Sequence, residues 1–112
     1  MTTNSDRLDA VLAHADATLD DSLSRLAALI RIPSVSTDPA FQEQCRAAAE
    51  HVAADLKSIG FEASVRPTAG HPVVVGKSNG AGGPNVLFYG HYDVQPVDPL
   101  NLWENDPFEP AV

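Results

Sequence analysis

A histidine and an aspartate one residue apart, His91 and Asp93, are the side chains best placed to do chemistry in this sequence. They follow Val86, Leu87, Phe88 and Tyr89, a continuous apolar run suited to a strand covered on both faces, with Gly90 between. In open α/β sheets ligands bind outside the carboxyl ends of the strands, which is where this histidine falls. Side chains alternate along a strand, so His91 and Asp93 can face the same way. One imidazole nitrogen is then free to hold a metal ion while Asp93 accepts a hydrogen bond from the other. The plainer alternative is a hydrogen-bonded loop histidine, because an H-x-D spacing fixes only two residues.

The elements that must position this pair are legible in outline. Between residues 6 and 30, Leu8, Val11, Leu12, Ala15, Leu19, Leu23, Leu26 and Ile30 recur at three- and four-residue steps, the period of a one-sided helix capped by Ser5. Asp20, Asp21 and Ser22 compete for backbone hydrogen bonds, which leaves one helix or two open, and Pro33 ends the element. Residues 31–39, RIPSVSTDP, form a loop, and Asp38 with Pro39 opens a second helix whose stripe is Phe41, Cys45, Ala48, Val52, Leu56 and Ile59. Gly60 stops it. Short extended pieces follow at 61–66 and at Val73, Val74 and Val75, separated by the turn-rich PTAGHP. SNGAGGPN is too flexible for regular structure, residues 86–89 are the expected sheet centre, and residues 90–112 read as an ordered loop over the sheet edge. The pattern is α/β, with fewer strands than the roughly five or six of an ordinary sheet.

Seven Lys and Arg against fifteen Asp and Glu give a net charge of -8 over 112 residues, which argues against nucleic acid and anionic membrane surfaces as partners. No secretory opening and no run of membrane-spanning length is present, so a cytoplasmic location is the default expectation. The single cysteine, Cys45, lies on an apolar helix face and reads as a small buried hydrophobe, with a reactive thiol as the alternative. GHPVVVGKS, residues 70–78, superficially suggests a phosphate-binding loop. It has five residues between its glycines where such a loop needs four, a β-branched run inside it, and no helix after it. His14, His51 and His71 read as surface or partly packed imidazoles. Asp98, Glu104, Asp106 and Glu109 read as loop charges and turn caps, and Trp103 and Phe108 as packing anchors, with a pocket wall as the alternative.

Taken together, NVLFYGHYDVQPVDPLNLWENDPFEP closely resembles the corresponding stretch of the two-zinc peptidase family that includes carnosinase, cytosolic nonspecific dipeptidase, glutamate carboxypeptidase, aminoacylase and acetylornithine deacetylase. The resemblance extends upstream to LIRIPSVS and covers nearly the whole chain. It implies that His91 is a metal ligand and Asp93 the catalytic aspartate that orients it, neither being the proton shuttle, and that Gly90, Val94 and Pro96 also fit the pattern. Tyr92, Gln95 and residues 103–108 look like the dipeptidase branch; the deacylases usually carry threonine at the position of Tyr92. The fold implied is the amino-terminal part of a three-layer α/β/α catalytic domain with its sheet incomplete. The cofactor implied is Zn2+, two ions per complete site, with Mn2+ as second choice; the substrate implied is a small peptide. The bridging aspartate, the adjacent glutamates, a further carboxylate and a distal histidine that the family supplies later do not occur in matching form. Residues 1–112 are therefore expected to form the amino-terminal portion of the catalytic domain, without the lid domain through which a homodimer would form, and to be inactive and marginally folded alone. An N-acyl amino acid deacylase of the same family and a non-catalytic binding module descended from it remain the alternatives.

Overall fold

A computed structural model of the chain describes residues 1–80 and 82–112. The long amino-terminal pattern resolves into two helices, α1 (Asn4–Ala17) and α2 (Leu19–Ile30). The cap of α1 is Thr3, not Ser5. Its hydroxyl accepts from the Asp6 N–H at 3.1 Å while the Asp6 carboxylate accepts from the Thr3 N–H at 2.9 Å. Only Thr3 has an acid three residues ahead to close this reciprocal box; Ser5 has Leu8 there. The break between the helices falls at Thr18, ahead of the expected acidic stretch; the Thr18 hydroxyl donates to the His14 carbonyl at 2.8 Å, beside the Thr18 N–H, which donates to the same oxygen at 3.0 Å.

Asp38 accepts from the Ala40 N–H at 2.9 Å, and Pro39 opens a 3-10 turn that runs into α3 (Gln42–Ser58). Gly60 follows at φ 91°, a conformation that disfavours any side chain. The chain then forms an antiparallel hairpin, β1 (Glu62–Arg66) and β2 (Val73–Lys77), in the register Ala63 to Gly76 and Val65 to Val74. These four residues share the face turned to α3, where a side chain at Gly76 would meet Leu56 Cδ1 at 3.0 Å. The GHPVVVGKS stretch thus lies largely in a strand, with Gly76 and Lys77 paired to Ala63 and Glu62.

The architecture is α/β with a partial sheet of two strands. Its core is small: Val35, Cys45, Ala48, Ala49 and Ala53, joined by Ser34. Cys45 is fully enclosed, as expected, whereas Ile59 is exposed because the buried face of α3 turns toward its alanines. The expected central strand at residues 86–89 is corrected: these residues pair with neither hairpin edge, and Val86, Leu87, Phe88 and Tyr89 stand 72–94% exposed. A strand exists only through its ladder, and the described residues provide no partner for this one. The expected flexible stretch at 78–85 includes Ala81, which lies outside the described residues. Residues 90–112 rest mainly on the loop after α2, not on the sheet edge, through one parallel bridge between Val35 and Val94 and an ion pair from Arg31 to Glu109 at 2.9 Å. No helix among the described residues is long and apolar enough to cross a membrane.

Candidate functional site

Pro33 stops α2 and turns the chain into Ser34, Val35 and Ser36, which run alongside residues 92–94. The Val94 N–H donates to the Ser34 carbonyl at 3.0 Å, and the buried Ser34 hydroxyl donates to the Tyr92 carbonyl at 2.8 Å. The Tyr92 hydroxyl donates in turn to the carbonyl of Pro72 in the hairpin turn. Residue 92 is therefore held at both its backbone and its ring, and its two neighbours are presented toward the outside.

His91 Nδ1 lies 3.0 Å from both the Asp93 side-chain Oδ1 and the Asp93 carbonyl. Both partners are acceptors, so the proton sits on Nδ1, and in the neutral ring Nε2 keeps its lone pair. The His91 side chain is 72% exposed. A neutral imidazole backed by a carboxylate, with its other nitrogen open, has the donor chemistry of a zinc ligand. The Ser36 hydroxyl donates to Asp93 Oδ2 at 2.7 Å. That hydrogen bond holds the Asp93 carboxyl below its ordinary 3.8; desolvation opposes it and the His91 contact assists.

His71 makes no direct hydrogen bond to the His91–Asp93 pair, but its Nε2 donates to the Ser36 carbonyl at 2.7 Å. Ser34, Ser36 and His71 are the contributors that sequence reasoning missed as site residues. The signal available was the alternation of serines in PSVS, which places both hydroxyls on one side of a bridging strand-like segment. His14 and His51 remain apart from the pair, on α1 and α3. Asp106 caps a turn by accepting from the Phe108 N–H at 2.9 Å, and Trp103 anchors the loop by donating to the Val97 carbonyl at 2.8 Å. Burial pushes the Cys45 thiol up, with the Asp93 charge adding to the shift, which keeps it protonated and unreactive. Among the described residues no group of three or more His, Cys, Asp or Glu side chains is arranged to hold a metal ion.

No protein-family model matches the chain. It is 30% identical over 112 residues to a Cys-Gly metallodipeptidase of Schizosaccharomyces pombe, covering 90% of this chain and 24% of that protein. It is 37% identical over 86 residues to the acetylornithine deacetylase of Photorhabdus laumondii, covering 71% of this chain and 21% of that one. The solved structure of the dipeptidase Dug1p from Saccharomyces cerevisiae matches with a TM-score of 0.81 and 27% identity over 97% of this chain and 25% of that chain. The chain thus spans about a quarter of the length of these relatives. Its fold is that of the corresponding quarter of Dug1p.

Proposed function

We propose that this chain is part of the catalytic domain of a two-zinc peptidase and supplies one ligand, His91, to a site that hydrolyses the amide bond of dipeptides or short peptides. The observation that carries the proposal is the Asp93–His91 hydrogen bond, which commits the imidazole proton to Nδ1 and leaves Nε2 exposed. Similarity to Cys-Gly metallodipeptidases supports the metal and the dipeptide class. When bound, a zinc pair supplies an activated water and polarises the scissile carbonyl. Asp93 holds the His91 ring in one orientation, and the Ser34 and Tyr92 contacts keep both residues at the end of a fixed segment. Manganese would satisfy the same nitrogen donor.

Similarity to acetylornithine deacetylase favours a second reading, an N-acyl amino acid deacylase using the same pair. The full protein, loaded with zinc, separates the two when offered Cys-Gly and N-acetylornithine in parallel. Chelator-sensitive cleavage of Cys-Gly that is lost in His91→Ala is expected. Hydrolysis of the acyl substrate alone would transfer the assignment to the deacylases. Undiminished turnover by His91→Ala would remove His91 from the site altogether.

A further inference from the structure

We propose that Ser36 is a positioning residue for His91, acting through Asp93, and that the hairpin turn holds Ser36 in place through His71. The inference rests on His91 being the ligand, and it concerns what decides which imidazole nitrogen is free. The His91 hydrogen bonds among the described residues go to Asp93 only. With a side chain 72% exposed, the ring has little packing to orient it. Its geometry is therefore inherited from Asp93, and the Asp93 carboxylate is pinned by two donors, His91 on Oδ1 and the Ser36 hydroxyl on Oδ2 at 2.7 Å. A carboxylate only accepts, so the Ser36 proton must point at Asp93.

Ser36 is itself fixed from the far side. Its carbonyl accepts from His71 Nε2 at 2.7 Å, and the His71 carbonyl accepts from the Thr68 hydroxyl at 2.7 Å. The same turn receives the Tyr92 hydroxyl at Pro72. The turn between β1 and β2 thus grips the serine loop on one side of the pair and residue 92 on the other. Hydrogen-bond direction is unambiguous along the whole path, from His71 to the Ser36 backbone and from the Ser36 hydroxyl to Asp93 and back from His91. Without the hydroxyl, Asp93 Oδ2 seeks water, the carboxylate is released to rotate, and His91 keeps only the backbone carbonyl as a partner for Nδ1–H. The Nε2–H form then becomes populated, and it has no lone pair to offer at the exposed nitrogen.

The test is the tautomer of His91 in the full metal-free protein, read from side-chain 15N shifts in histidine-labelled samples at a pH where imidazoles are neutral, with the resonance assigned by its loss in His91→Ala. Wild type should show the Nδ1–H form alone. Ser36→Ala should show a mixed pattern, and Ser36→Thr, which keeps the hydroxyl, should restore the single form. An unchanged tautomer in Ser36→Ala overturns the proposal. So does loss in both variants, because the hydroxyl would then not be what matters. Adding zinc alone to wild type tests the ligand assignment separately: an unmoved His91 resonance beside a Ser36-dependent tautomer would sink the metal role and leave the positioning role standing.

Discussion

His91 and Asp93 form their contact across one intervening residue, so its strength depends on the charge of the acceptor more than on long-range packing. Asp93→Asn keeps an oxygen for Nδ1–H, but removes the negative charge behind the ring. A fall of about 10–100-fold in zinc affinity or kcat/KM of the full protein is expected, with the fold unchanged by circular dichroism. An unaffected variant would show that Asp93 contributes geometry alone. This pair was readable in the sequence because its two members are neighbours in a distinctive local stretch. Ser34, Ser36 and His71 were not, because their partners lie 58, 57 and 35 residues away and only tertiary structure brings them together. Cys45 was readable for the opposite reason: helical spacing alone puts it on the buried side.

At the level of elements, α2 and α3 are tied by Arg25, which donates from Nε and Nη2 to the two oxygens of Asp55 at 3.0 and 2.7 Å. The Arg25 hydrogen bonds hold the Asp55 carboxyl below its ordinary 3.8. A carboxylate whose folded pKa is depressed stabilises the fold above its unfolded value, and the contribution disappears as pH falls through the folded one. Both side chains are substantially exposed, so the effect is small and sensitive to salt. The urea midpoint of the full wild-type protein should exceed that of its Asp55→Asn variant at neutral pH and low salt, and the gap should close both in acid and on adding salt. A gap that survives acid would belong to packing instead. The hairpin makes a different demand. Gly76 lies where a Cβ would come within 3.0 Å of Leu56, so Gly76→Val should force that side chain aside at a cost of about 1–3 kcal/mol, read as a lowered urea midpoint of the full protein. A neutral result would mean that Leu56 swings freely into solvent. The strand pattern around Gly76 was visible in the valines, but the close approach of α3 was not, since no local signal reports a helix crossing overhead.

Taken whole, the described chain has a surface out of proportion to its mass. It exposes 9019 Å² at 11.9 kDa, where a compact monomer of that size exposes about 6000 Å². Its radius of gyration is 17.4 Å, against roughly 13 Å for a compact chain of this length. The excess is apolar in important places: Leu8, Val11 and Leu12 on α1, Leu23 and Leu26 on α2, and residues 86–89 are all exposed. Helical periodicity marked residues 6–30 as helical, yet α1 buries no face among the described residues, and the pattern says nothing about what covers the apolar side chains. The five buried hydrophobic residues include three alanines and a cysteine, too little apolar volume to offset the chain entropy of 112 residues. A 112-residue polypeptide of this sequence, studied by itself, should therefore melt broadly and without a cooperative transition, bind a hydrophobic dye, and show no chelator-sensitive hydrolysis of Cys-Gly, since on the proposed reading His91 supplies one ligand where a catalytic zinc takes three. A sharp calorimetric transition without dye binding would mean that these surfaces cost the chain little, and would favour a self-sufficient binding module. Cleavage of Cys-Gly abolished by chelator would overturn the ligand count, and would require the chain to complete its metal site by some other means, such as association of several copies.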